Sequence, residues 1–261
     1  VLLSGDEGWS YVLRAPDRVA RPPGDPAPAL PALLGPAAAL ADGPPFQGGV
    51  VGLAAYELSA RLEPTAPQAR GGWPDLVLLR YPALLAFHPG ERRALAIGRG
   101  PNPELAAARA DSALAWLAEP RTRPAPGRLA SSAAAAVDDA AYAEAVGRII
   151  ARIAAGEIFQ ANLARAWRGR LAPGVRPFDV FARLSAQSPA GYAAFLNLPG
   201  RALVSNSPEQ FLSVRPQPGG LWVESRPIKG TRPRGTAPAD DAALAAELQA
   251  SPKDRAENLM I

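Results

Sequence analysis

Proline and glycine interrupt this chain so often that it cannot fold around long continuous elements. With 30 prolines and 24 glycines in 261 residues, the Ala-rich stretches are broken repeatedly by Pro, Gly and charges. Proline removes a backbone donor, and glycine adds freedom that an ordered element must give up. Short strands joined by turns, with short helices between them, are what such a chain can form. No apolar run reaches the roughly 18 residues of a membrane helix. Because 48% of the residues are hydrophobic, the core can still be substantial.

The segments follow from periodicity and turn chemistry. Trp9–Leu13 reads as a strand, and residues 21–45 as loop with a short helix. Gly48–Tyr56 reads as a buried strand whose glycines allow close backbone approach rather than a nucleotide loop, since no helix and phosphate pattern follows. Leu76–Phe87 and Arg93–Ile97 flank the turn His88-Pro89-Gly90-Glu91 and predict a hairpin, with the only histidine solvated in the turn. Pro103–Leu117 reads as a helix, and Glu119–Ala136, rich in Pro, Ala and Ser, as a linker. Asp138 can cap a helix in which Tyr142, Val146, Ile149, Ile150 and Ile153 recur at helical spacing before Gly156. Ile158–Trp167 then reads as a strand and Phe178–Ala186 as a helix. Hairpins are expected around Pro199-Gly200 and around Pro216–Gly220, followed by a helix over Asp240–Gln249 with acids in its first turn. Hairpins plus packed helices make the fold class α+β.

The chain has no cysteine, which excludes disulfides, thiolate catalysis and Cys-based metal sites. No secretory signal is visible at the N-terminus. These features fit a cytoplasmic protein with no membrane segment. The net charge of +4 and pI of about 9.8 are carried by scattered charges, with no run alternating aromatic and basic residues. No nucleic-acid partner is expected, and a basic pocket for a small anion accounts for the local arginines equally well.

Lys229 and Lys253 are the only lysines among 28 basic residues. Where charge alone is needed, this chain uses arginine. A retained lysine is therefore a candidate for work that a guanidinium, which stays protonated, cannot do. Lys229 lies in Arg226-Pro227-Ile228-Lys229-Gly230-Thr231-Arg232-Pro233-Arg234-Gly235. Three other segments accompany it in order: Gly156-Glu157-Ile158-Phe159-Gln160-Ala161-Asn162-Leu163, Ser207-Pro208-Glu209-Gln210-Phe211-Leu212, and Ser251–Ile261.

This ordered combination resembles the chorismate-utilising enzymes, and within them most the aminodeoxychorismate synthase component I (para-aminobenzoate synthase) branch. The likeness is weak before Ala136 and strong after it. It implies the N-terminal part of the family's α/β sandwich, antiparallel sheets with outer helices. Residues 1–120 would be the N-terminal region of the component I fold, 121–136 a linker, and 137–261 the first part of the chorismate-binding catalytic region. The family continues beyond the position of Ile261, so the chain is expected to be an incomplete fold, inactive alone.

The resemblance implies roles for particular residues. Family members that add water carry lysine where Gln160 stands, so Gln160 points to ammonia and to a place in the substrate pocket. Anthranilate synthases generally have Ala where Lys229 stands, whereas Lys in Pro-Ile-Lys-Gly-Thr marks the aminodeoxychorismate branch. A neutral Lys229 could attack C2 of chorismate as a covalent catalyst. Arg226, Arg232 and Arg234, if they converge on it, would favour the neutral amine. Glu209 is the expected general acid, Gly230 and Thr231 the expected substrate-carboxylate contacts, and Glu257 the expected Mg²⁺ ligand, with Asp254 a weaker one. The expected ammonia source is a glutamine amidotransferase subunit or fused domain. Ser4 and Trp9 fall where the family has an N-terminal strand able to form a tryptophan pocket, although core packing is the simpler role. Two alternatives stay open: anthranilate synthase component I, and a non-catalytic chorismate- or tryptophan-binding regulatory protein.

Overall fold

A computed structural model describes residues 1–4, 8–35, 42–63, 65, 72–120 and 123–259. Strands β1 (Leu2–Ser4), β2 (Ser10–Leu13), β3 (Arg18–Ala20) and β4 (Gly49–Ala54) precede β5 (Leu76–Tyr81), β6 (Ala83–His88) and β7 (Arg93–Gly98). β8 (Ala130–Ala135), β9 (Trp167–Leu171), β10 (Tyr192–Leu198), β11 (Arg201–Ser207), β12 (Gln210–Gln217) and β13 (Gly220–Arg226) follow. Six strands form one antiparallel sheet in the order β11-β10-β1-β2-β6-β7, and β3-β5-β4 form a second sheet. With its helices, this is the α+β architecture the sequence predicts.

The core lies between these two sheets. Val77, Leu79 and Tyr81 of β5 join Tyr11, Leu13 and Leu84 in one buried cluster, and Leu84 is completely inaccessible. On the other face of β5, Leu76 and Leu78 pack with Leu33 of α1 (Ala29–Leu34). A strand buried on both faces has no polar alternation. That is why Leu76–Phe87 reads as a single strand, whereas the structure divides it. Pro82, without an N–H for the ladder, ends β5, and the chain re-enters the other sheet as β6. Burial also pushes the Tyr81 hydroxyl up to about 12.

Helices cover the larger sheet. α2 (Pro103–Ala115), capped by the Asn102 side chain accepting from Leu105 N at 2.9 Å, approaches β7 very closely. A Cβ on Gly98 would lie 2.0 Å from the Ala106 carbonyl oxygen. α4 (Pro177–Gln187) sets Phe178 and Phe181 against Phe195, each with ring centroids 5.7 Å away. Asp179 is 1% exposed and accepts from Arg176 N at 2.7 Å, Arg176 Nη2 at 2.8 Å and Ala125 N at 3.2 Å. Those donors hold its carboxyl far below the usual range, the Arg176 side chain first.

Three expectations change. The span 121–136 holds β8, paired with β9, and Ala125 is fastened to Asp179. Moreover, β1 pairs with β10, so strands from both sides of that span share one sheet. Residues 158–166 form no strand, and β9 begins only at Trp167. Phe159 is 93% exposed, so no apolar surface covers a pleat there. His88 is not simply solvated: it meets the buried Trp9 ring edge-on at 5.2 Å, and its Nδ1 accepts from Glu91 N at 2.9 Å. Trp9 itself belongs to the core.

After β8 the character changes. α3 (Asp139–Ala154) has the expected cap, Asp138 accepting from Ala141 N at 2.8 Å, yet buries none of its residues. β12 and β13 form a separate two-stranded ribbon, followed by α5 (Pro238–Ala250) and α6 (Pro252–Asn258). No helix among the described residues is long and apolar enough to cross a membrane.

Candidate functional site

The β12–β13 ribbon determines where the chemistry-bearing residues lie. Gln210 is registered opposite Arg226, so Glu209, just before β12, and Lys229, three residues beyond Arg226, leave from the same end of the ribbon. The next registered pair is Ser213 with Glu224: three steps on β12 against two on β13. An extra residue of this kind bends a strand. The Ser225 hydroxyl donates to the Phe211 carbonyl at 2.8 Å across the bulge. Tyr192 donates to Gln210 Oε1 at 3.4 Å and ties this end to β10.

Beyond Arg226 the chain has no regular structure until α5, and charged side chains fix it instead. Arg232 Nε donates to Glu247 on α5 at 2.7 Å, and its Nη1 reaches Asp254 on α6 at 3.4 Å. The same Nη1 donates to the Thr231 carbonyl at 2.9 Å. Glu247, then Asp254, raises the Arg232 guanidinium further above its ordinary value. Gly230 lies directly against Asp254, where a Cβ would be 2.2 Å from the carboxylate carbon. Gly235 N donates to Asp241 Oδ1 at 2.9 Å, and Arg234 pairs with the same carboxylate. The acids at the start of α5 therefore anchor a loop as well as meeting the helix dipole.

Lys229 sits half-buried in this loop, and no hydrogen bond or ion pair holds its amine among the described residues. The arginines expected to crowd it are matched with acids: Arg226 with Glu224, Arg232 with Glu247 and Asp254, Arg234 with Asp241. Like-charge repulsion from them is correspondingly muted. Glu209 and Thr231 are exposed, and so is Gln160 in the segment after α3. Hydrogen bonds from Tyr142 to the Leu163 carbonyl and from Arg165 to the Val137 carbonyl hold that segment to α3 and its cap. The structure thus brings Glu209, Lys229, Gly230 and Thr231 to one end of the ribbon, while the ties on Gln160's segment run elsewhere.

Glu257 is on α6, where its carboxylate faces Lys253 at 3.7 Å. That pairing gives the second lysine an ordinary surface role. No group of three His, Cys, Asp or Glu side chains that could hold a metal is found among the described residues. Asp254, the weaker metal candidate, is engaged by Arg232. Mg²⁺ requires a near-octahedral oxygen shell. These side chains alone do not fit it. Sequence reasoning missed the bridge made by Arg232, because its partner Glu247 is 15 residues away and looks like any helix-surface acid.

The family model described as chorismate binding enzyme matches residues 21–261. Aminodeoxychorismate synthase component 1 of Klebsiella aerogenes is 35% identical over 83% of this chain and 46% of its own length. Anthranilate synthase component 1 of Streptomyces coelicolor is 33% identical over 97% of this chain and 52% of its own length. Aminodeoxychorismate synthase of Streptomyces pristinaespiralis is 46% identical over 46% of this chain but 16% of its own length. The chain spans about half the length of the two component 1 relatives. In fold it matches the crystal structure of anthranilate synthase component I from Streptococcus pneumoniae, with a TM-score of 0.78 at 20% identity over all of this chain and 61% of that one.

Proposed function

The chain belongs to the chorismate-binding enzyme family, and from that premise we propose that the whole protein aminates chorismate at C4, giving 4-amino-4-deoxychorismate. Ammonia would come from a glutamine amidotransferase subunit or fused domain, within the cytoplasm. The observation that carries this reading is Lys229. It is an amine without a partner among the described residues, on a loop anchored to two helices, at the same ribbon end as a carboxylic acid.

The chemistry proceeds as two displacements. The neutral Lys229 amine attacks C2 of the ring, the diene electrons shift, and the 4-hydroxyl leaves with a proton from Glu209. Ammonia then attacks C4, the electrons shift back, and the C2–N bond to Lys229 breaks. Splitting one difficult displacement this way is the advantage of a covalent nucleophile. Backbone and hydroxyl donors at Gly230 and Thr231 suit a substrate carboxylate, and Gln160, where water-adding relatives carry lysine, suits ammonia. Glu257 would supply one Mg²⁺ ligand alongside oxygens from elsewhere in the whole protein.

The second reading is anthranilate formation, favoured by the near-full coverage of the Streptomyces coelicolor anthranilate synthase component 1. Product analysis of chorismate turnover by the full-length protein, with ammonia supplied directly, separates the two. Lys229→Arg retains charge but cannot act as a neutral nucleophile, and amination should be abolished. Near-normal turnover by that variant removes the covalent role. Anthranilate as the wild-type product removes the amination reading.

A further inference from the structure

The feature that neither the sequence motif nor the family explains is the guanidinium of Arg232. It joins three elements at one point: α5 through Glu247, α6 through Asp254, and its own loop through the Thr231 carbonyl. Asp254 in turn fills the space where a side chain on residue 230 would be. Its side chain is only 11% exposed, and its backbone N–H is bonded to Ser251 Oγ at 3.3 Å. We propose that Arg232, Glu247 and Asp254 form a positioning clamp that sets the Gly230–Thr231 peptide, and with it the direction of the Lys229 amine, without touching substrate. Asp254 is thereby assigned to Arg232 rather than to a metal.

The argument is geometric. The loop from Pro227 to Ala237 has no helix or strand of its own to hold it. The only backbone acceptor that Arg232 takes among the described residues lies two residues from Lys229. Arginine can serve here because its donors diverge in a plane, so one side chain reaches two carboxylates and a carbonyl together. Lysine offers a single compact ammonium and cannot span the same three points. Gly230 is required by the same contact: any Cβ must displace either Asp254 or the loop.

This inference rests on the proposed role of Lys229, so its test has one arm that needs no catalysis. Arg232→Lys, Asp254→Asn and the double variant are prepared in the full-length protein. Hydrogen–deuterium exchange of the 229–232 amides is followed in the free proteins. Each single change should accelerate exchange there, and the double should be no faster than the faster single. Accelerations that multiply, or no acceleration at all, overturn the clamp whatever the reaction proves to be. In the catalytic arm, kcat with ammonia should fall about 10- to 100-fold, the scale of a misplacement near 1 Å, while KM for chorismate stays unchanged. Again the double should be no worse than the poorer single. A rise in KM with kcat preserved would make these residues substrate contacts and overturn the proposal. A wild-type protein that fails to aminate chorismate removes the functional reading and leaves the exchange result to decide the clamp.

Discussion

The paired sheets and the ribbon-to-α6 region are held together by different physics. Between the sheets, Leu13, Val77, Leu84 and Ala86 are wholly inaccessible. From residue 210 to residue 259 no residue is buried, and Leu221, Trp222 and Val223 of β13 are all more than half exposed. Arginine–carboxylate pairs replace apolar contact there. Exposed pairs of that kind contribute roughly 0–1 kcal/mol each. The difference teaches that burial and candidate chemistry are spatially separate: the apolar core lies between the sheets, and the candidate side chains lie at the end of the ribbon.

The largest test of that separation is Glu209→Gln. Turnover of chorismate with ammonia by the full-length protein should fall about 10²- to 10⁴-fold, the usual contribution of a general acid, with the thermal midpoint unchanged. A loss below tenfold would make Glu209 structural and blur the comparison. In the other direction, Leu84→Ala removes a side chain from the closed core and should destabilise by about 2–5 kcal/mol, measured by denaturant unfolding. A cost near zero would show that the sheets are not the stabilising region.

Asp179→Asn sharpens the contrast by pH. The carboxyl is held low chiefly by Arg176, so its contribution is fully present above the ordinary value of about 3.9 and disappears as pH falls below it. The variant should therefore melt lower than the parent near pH 7, and the two should converge as the pH falls below about 4. A gap that stays constant down the titration would assign the effect to packing rather than charge. The smallest effect is expected on the ribbon itself: Trp222→Ser in the 261-residue chain should shift stability by less than about 0.5 kcal/mol. A larger loss in chemical unfolding would mean that this face is packed after all.

What the sequence made legible was local. Asp138 announces its helix, and Pro199-Gly200 announces its hairpin, because a cap and a turn need only neighbouring residues. The motif around Lys229 was legible as a family signature for the same reason, since it is a run of neighbouring residues. Pro82 misleads because whether a proline bends a strand or ends it depends on which sheets lie on either side. The missing strand at 158–166 shows the limit of β-propensity, since Phe159 qualifies by type but is almost wholly exposed. Arg232 was legible only as positive charge. Its bridging role depends on where α5 and α6 come to rest, which no window of residues contains.

The pairing of β1 with β10 has a consequence in time as well as space. Leu2 is registered opposite Phe195 and, on its other side, opposite Val12. During synthesis the inner hairpin partner is available almost at once, whereas the outer one emerges only after all the residues between Leu2 and Phe195 have been made. Until then β1 is an open sheet edge, able to take a foreign strand. Closing so long a loop is a slow, non-local step. β1 is thus made long before its outer neighbour and sealed late, with its outer edge open to other strands in the interval.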